Sequence, residues 1–268
     1  MPKFRLVTWN VNSIRIRLEL LRKLVAEQNP DILCLQEIKA KPEDFPFDEI
    51  EALGYKHIAL YSQAGYNGVG IFSKYHFEEE EKQDWVGKRD ARHIKVRLFD
   101  DIEINNIYIP AGGDIPDPLE NISFAHKLTF MDDIAEYWEH KRAEYANKKI
   151  IICGDFNVAP CENDVWNHKQ LLKVVSHTPV EVERLTRLKK SLDFIDIARD
   201  LHPEPEKLFT WWSYRNPNWQ KNNKGRRLDH IWVTEPLKNT FKKYEIIKEA
   251  RRWERPSDHV PVLVDFDI

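Results

Sequence analysis

Eight apolar runs of strand length recur along the chain: Phe4 to Trp9, Ile32 to Leu35, Val69 to Phe72, Ile94 to Leu98, Ile102 to Ile109, Ile150 to Cys153, Ile231 to Val233 and Val260 to Phe266. Asp101 to Ile109 alternates polar and apolar residues as a half-buried strand does. Between these runs, Ile14, Leu18, Leu21 and Val25 share one helical face, and Phe124, Leu128, Met131, Ala135 and Trp138 share another. Both stripes read as core packing. Strands alternating with helices specify an α/β fold, but the hairpin-length gap from Leu98 to Ile102 requires antiparallel pairing, so the sheets are expected to be mixed.

No repeat, heptad array or low-complexity linker divides the chain, and its 42% hydrophobic content is ample for one continuous core. A single domain over residues 1–268 is expected. The 41 basic and 44 acidic side chains give a formal charge of -3, which excludes a global positive field for drawing in a polyanion. Any nucleic-acid contact would have to come from local patches such as Lys221 to Arg227 or Arg251 to Arg255. The acidic run Glu78 to Glu81 reads as a solvated face. Cys34 and Cys153 lie inside apolar runs, where free cysteine behaves as a small buried hydrophobe, so a reducing compartment is inferred. The first residues lack the apolar stretch of a cleaved leader, and no run approaches a bilayer-spanning length. The expected setting is cytoplasmic, without membrane contact, and the default state is a monomer.

Polar groups stand at the ends of the apolar runs. The first run ends in Asn10 and Asn12, the second in Gln36 and Glu37, and Ile150 to Cys153 in Gly154, Asp155 and Asn157. Near the C-terminus, Asp229 and His230 open one run and Asp258 and His259 precede another. Any one of these has a simple structural explanation as a turn, a cap or a core histidine. Separate strand ends that deliver carboxylate, amide and imidazole groups point instead to one shared site. Such a set meets the needs of phosphodiester hydrolysis: an activated water, neutralised phosphoryl charge and help for the departing oxygen. Glu37 and Asp258 are hard oxygen ligands suited to Mg²⁺, whereas zinc-type cysteine or histidine spacing is absent.

Six segments carry a more specific likeness: Thr8 to Asn12, Leu35 to Lys39, Ile107 to Pro110, Gly154 to Pro160, Arg227 to His230 and Pro256 to His259. In this order they resemble the signature of the exonuclease III family. The resemblance implies a four-layer sandwich of two mixed β-sheets flanked by helices, deoxyribonuclease I-like, with the site at one edge. It implies cleavage of double-stranded DNA at abasic sites and 3′-to-5′ trimming of 3′ ends. Carried over by position, Glu37 would hold Mg²⁺, or Mn²⁺ as a substitute, with Asp258 and Asn12 beside it. Asp155 would orient and deprotonate the attacking water, fixed by Asn157 and Asn10. His259, held by Asp229, would stabilise phosphoryl charge. Tyr108 would bond the phosphate or sit near the departing oxygen.

The least regular stretch, His202 to Arg227, is rich in aromatic and basic residues, as functional loops are. Within it Trp211, together with Leu228, matches the family's wall around a flipped abasic sugar, while Lys221, Lys224, Arg226 and Arg227 would hold the DNA backbone. Two positions depart from the pattern. Ala111 stands where an amide often reaches a phosphate, and Arg226 where an apolar pocket residue is common. The alternatives are a phosphoesterase of the same superfamily acting on inositol phosphates, and a catalytically silent DNA-binding module.

Overall fold

In the computed structural model, which describes residues 2–268, the apolar runs become strands and the polar residues at their ends gather on one edge. In chain order the strands are β1 (Lys3–Asn10), β2 (Ile32–Gln36), β3 (His57–Tyr61), β4 (Val69–Ser73), β5 (Glu79–Trp85) and β6 (Lys88–Leu98). They continue as β7 (Ile102–Tyr108), β8 (Lys149–Asp155), β9 (Ile195–Asp196), β10 (Asp229–Val233), β11 (Phe241–Ile246) and β12 (Val262–Asp267). One sheet has the order β11-β12-β1-β2-β4-β3 and the other β5-β6-β7-β8-β10-β9.

Each sheet contains one parallel pair among antiparallel neighbours, β1 with β2 and β7 with β8. A parallel pair needs a crossover, and helices Ile14–Gln28 and Ile122–His140 supply the two. The expected mixed sheets are therefore present. The parallel pairs bring the C-terminal ends of β1, β2, β7 and β8 to one edge, and antiparallel β10 and β12 begin at that same edge. This topology gathers residues from distant parts of the sequence.

Three apolar clusters fill the seams between four layers. Ile32, Cys34, Ile71, Ile104, Ile151 and Ile231 meet between the sheets. Leu21, Leu24, Leu33 and Leu35 join the first helix to the outer face of its sheet, and Phe124, Met131, Trp138, Ile150 and Ile152 join the second. The second helical stripe is buried as expected. In the first helix Ile14 and Leu21 of the expected stripe are fully buried together with Leu24, Leu20 is nearly so, and Leu18 and Val25 are partly covered at the margins. The acidic run does face solvent, but most of it lies in the edge strand β5, paired with β6. Charge on such an edge discourages pairing with another chain.

Gly154 marks the tightest approach in the second sheet. With φ of 136°, it leaves no room for a side chain, because a Cβ there would meet the Ile107 carbonyl oxygen at 2.0 Å. Across the sheets, the Gln36 amide donates to Asn106 Oδ1 at 2.7 Å and to Thr8 Oγ1 at 2.9 Å. The Asn106 amide in turn reaches the Leu35 and Gly70 carbonyls. Gln36 is thus an internal tie between the sheets and does not point into the site.

Arg227, expected on the DNA-holding surface, is fully buried and must be reassigned. Its guanidinium binds Asp164 through Nε (2.7 Å) and Nη2 (2.9 Å), and Asp196 through Nη1 (3.0 Å) and Nη2 (2.8 Å). Burial pushes the Asp164 carboxyl up, but Arg227 and Arg199 outweigh it and hold the group at about 2. Removing one partner from such a buried network leaves uncompensated charge. Arg227→Ala is therefore expected to cost about 3–5 kcal/mol of folding stability. Chemical denaturation measures this directly; an unchanged midpoint and slope, with weakened DNA binding, would restore the surface role.

Candidate active site

The amide of Asn10, at the end of β1, lies between two carboxylates. Its Nδ2 donates to Glu37 Oε1 and to Asp155 Oδ2, each at 2.9 Å. Asn10 is fully buried and its side-chain oxygen accepts from the Asn12 backbone, so the amide is fixed on both sides. Asp155 Oδ1 also accepts from the Asn157 backbone N–H at 2.9 Å, and Oδ2 from the Asn157 side chain at 3.2 Å. Asn157 and Glu37 have φ of 53° and 54°, a left-handed conformation that asparagine adopts readily and glutamate seldom.

Tyr108 donates its hydroxyl to Glu37 Oε1 at 2.8 Å. Burial pushes the phenol well above its ordinary value and the Glu37 and Asp155 charges add to this, so the hydroxyl remains protonated. For Glu37, burial raises the carboxyl, but Lys39, Asn10 and Tyr108 prevail and keep it below the usual range.

On the other side of Asp155 stands His259. Its Nε2 is 3.5 Å from Asp155 Oδ2, and its Nδ1 lies 2.8 Å from Asp229 Oδ2. Thr210 Oγ1 donates to the same Asp229 oxygen at 2.6 Å and accepts from the Leu228 and Asp229 backbone N–H groups. Ser257 bonds both the Asn10 carbonyl and the His259 N–H, and the Trp9 indole donates to the His259 carbonyl. Sequence reasoning did not single out Thr210, Ser257 or Trp9. Trp9 and Ser257 lie within the motif segments but receive no role from them, and Thr210 directly precedes Trp211.

Burial lowers the His259 imidazole, but Asp229 and Asp155 override it and push the group up to about 10. Asp155 is pushed up to about 7, first by burial and then by the Asp229 and Glu37 charges, against the lowering effects of His259 and Asn10. His230, in the neighbouring motif position, is buried, lowered to about 4 and bonded to the Val158 carbonyl. It is a structural histidine.

The model of the Endonuclease/Exonuclease/phosphatase family matches residues 7–259, a span that contains every residue of this cluster. Exodeoxyribonuclease III of Haemophilus influenzae is 30% identical over 98% of this chain and 99% of its own length. The chain belongs to this family, in its exonuclease III branch. An AP endonuclease from Archaeoglobus fulgidus superposes with a TM-score of 0.90 at 28% identity, covering 99% of this chain and 100% of that one. The 3′ phosphatase NExo from Neisseria, bound to a product DNA hairpin, gives 0.89 at 29% identity, with the same coverage. The two mixed sheets flanked by helices expected from the family likeness are those of the structure.

Two groups of residues are able to take a cation. Asp155, Asp229 and His259 each bring one ligand atom to within 4.8 Å of the others, close enough for a metal ion. An imidazolium has no free lone pair, so metal binding there would require His259 to lose its proton. The second group already surrounds a positive charge. Lys39 Nζ sits 2.6 Å from Glu37 Oε2 and 2.7 Å from Asn12 Oδ1, and the Asn12 amide reaches Asp258 Oδ1 at 3.3 Å. The oxygens of Glu37 and Asn12 fit Mg²⁺ by chemistry and by the cation they hold now, with Asp258 beside them through Asn12.

Trp211 connects this edge to the loop. Its Nε1 donates to Asp258 Oδ2 at 3.0 Å, and its ring packs, partly exposed, against the buried cluster containing Leu228. Trp212 and Trp219 are buried in the outer core of the first sheet, so the loop tryptophans divide between packing and site. Lys221 and Lys224 are exposed, the latter lying over the Trp166 ring. Ala111 is exposed at the end of the Tyr108 segment and offers only its carbonyl, to Lys127.

The two shifted groups set a pH dependence. If Asp155 is the group that takes the proton from water, it can do so only when ionised, and kcat/KM is expected to rise with pH through about 7. It is expected to fall as His259 loses its charge near 10. A pH–rate profile tests this; a flat response in either region would remove the corresponding group from the reaction, and flatness in both would remove both.

Proposed function

We propose that this chain is a magnesium-dependent DNA repair nuclease that hydrolyses phosphodiesters on the 5′ side of abasic sites and trims 3′ ends. The observation that carries the reading is the Asn10 amide held between Glu37 and Asp155, with the His259 imidazolium beside the second carboxylate. Asp155 is poised near neutrality to take a proton from water, and Asn10 and Asn157 fix its orientation. His259, kept cationic and oriented by Asp229, opposes the charge that develops on phosphoryl oxygens. Tyr108, kept protonated, has a hydroxyl to donate at the same edge. Glu37, Asn12 and Asp258 would hold the metal, Mg²⁺ or Mn²⁺ in its place. Bound there, it neutralises phosphoryl charge.

Trp211, packed on buried Leu228, would supply an apolar wall for a sugar that lacks its base, so selectivity would come from excluding an intact nucleotide. Exposed Lys221 and Lys224 would hold the duplex backbone with a salt-dependent affinity. The names of the relatives and the DNA hairpin bound to the Neisseria enzyme support DNA as substrate. One domain spanning 1–268, acting as a monomer, is sufficient for this chemistry. Three free cysteines support a reducing, cytoplasmic setting, and among the described residues no helix is long and apolar enough to cross a membrane.

A side-by-side assay of duplex DNA carrying one abasic analogue and of inositol polyphosphates tests the substrate. Incision of the duplex on the 5′ side of the analogue is expected. Hydrolysis of the inositol phosphates alone would replace this reading with the superfamily alternative.

A further inference from the structure

Arg226 occupies a position that the reaction above does not use. Its backbone pairs with Trp211, and its guanidinium carbon lies 5.2 Å from the centre of the Trp211 ring. One arm is clamped: Nη1 donates to the Val175 carbonyl at 2.8 Å and to Ser176 Oγ at 2.6 Å. Among the described residues, no carboxylate forms a salt bridge with Arg226, and its Nε and Nη2 have no hydrogen-bond partner. The adjacent Arg227 is the opposite case, closed off by two aspartates. Arg226 is half-buried, and burial pushes its guanidinium down from the ordinary value with only Glu181 opposing. Arginine remains charged even so, and a partly desolvated, unneutralised cation is stabilised by an incoming anion.

Trp211 links this cation to the catalytic edge. The same indole that stacks with Arg226 donates to Asp258, and Trp211 also bridges to His259 through the backbone. A group touching Arg226 would therefore belong to a substrate whose phosphate lies at Asp155 and His259.

We propose that Arg226 is a specificity-determining residue: it makes the Trp211 wall select DNA ends that carry a small anionic group, a carboxylate or a second phosphate, beyond the scissile phosphorus, over a neutral abasic sugar. This rests on the nuclease reading. The free Nε and Nη2 form the side-on pair that takes two oxygens of such a group at once, and charge-assisted bonds of this kind are the strong ones.

The test uses three duplexes with matched 3′ ends: a phosphoglycolate, a tetrahydrofuran residue bearing a 3′ phosphate, and the same residue without it. The wild type is expected to favour at least one anionic end over the neutral one by about 10-fold or more in kcat/KM, the range of a charged hydrogen bond. Arg226→Leu is expected to lower kcat/KM on the preferred anionic end by about 10-fold more than on the neutral end, whose remaining cleavage also shows that the variant is folded. Arg226→Lys should retain part of the preference. Loss on one anionic end alone identifies its group as the ligand. Equal fold-changes on all three ends, or no preference in the wild type, would overturn the assignment of Arg226 and leave the nuclease reading standing. Cleavage of none of them by the wild type would overturn both.

Discussion

Asp155→Asn is expected to lower turnover by about 10²–10⁴-fold, the usual contribution of a general base, with little loss of DNA affinity. The substitution keeps the shape of the side chain and retains one oxygen for the Asn157 N–H. It also removes one of several negative charges crowded with Glu37 and Asp229 in a buried space, so folding stability is not expected to fall. His259→Asn is expected to cost a comparable factor, because it removes the cation that, in the proposed mechanism, would face the phosphoryl oxygens. Since Asp155 and His259 lie 3.5 Å apart and serve one transition state, the double variant should lose less than the product of the two single losses. Single-turnover rates together with equilibrium DNA binding separate these effects. A single variant with near-normal turnover would show that its residue is not part of the chemistry.

Excess chelator is expected to abolish cleavage altogether, and Glu37→Gln to raise the Mg²⁺ concentration needed for half-maximal rate by roughly 10-fold or more, the scale of losing one charged oxygen contact. In the proposed reading Glu37 would join the metal to the rest of the site: one oxygen takes Asn10 and Tyr108, and the other faces Lys39. Glutamine preserves the size of the group but halves its oxygens and removes its charge. Titration of the rate with Mg²⁺ in both proteins reads this out, with thermal melting as the control for folding. Full activity of purified protein in excess chelator would remove the metal from the mechanism.

The strand ends were legible in the sequence because each apolar run stops at a polar residue that packing does not require. Asn10, Glu37, Asp155, Asp229 and His259 could all be found in this way, and the order of their motifs indicated the layers. What local pattern does not encode is the set of partners supplied by topology. Arg227 sits in a basic, aromatic loop and looks like a DNA contact, yet the carboxylates that bury it lie 63 and 31 residues away. Trp211 and Trp212 are neighbours of the same type, but only backbone pairing to Arg226 and His259 decides which ring meets the site. Thr210 and Ser257 are small polar residues whose importance comes from what they touch. The acidic strand β5 has the composition of a loop, and its pairing with β6 overrides that local preference.

The central claim, that the Glu37–Asn10–Asp155 edge cuts DNA with a bound metal, is tested most directly by product mapping on two duplexes, one with an internal abasic analogue and one with a recessed 3′ end, each with Mg²⁺ and with chelator. The expected result is incision on the 5′ side of the analogue and stepwise shortening of the recessed end, both lost in chelator. Intact duplexes in the presence of Mg²⁺, or equal cleavage with and without it, would contradict the claim.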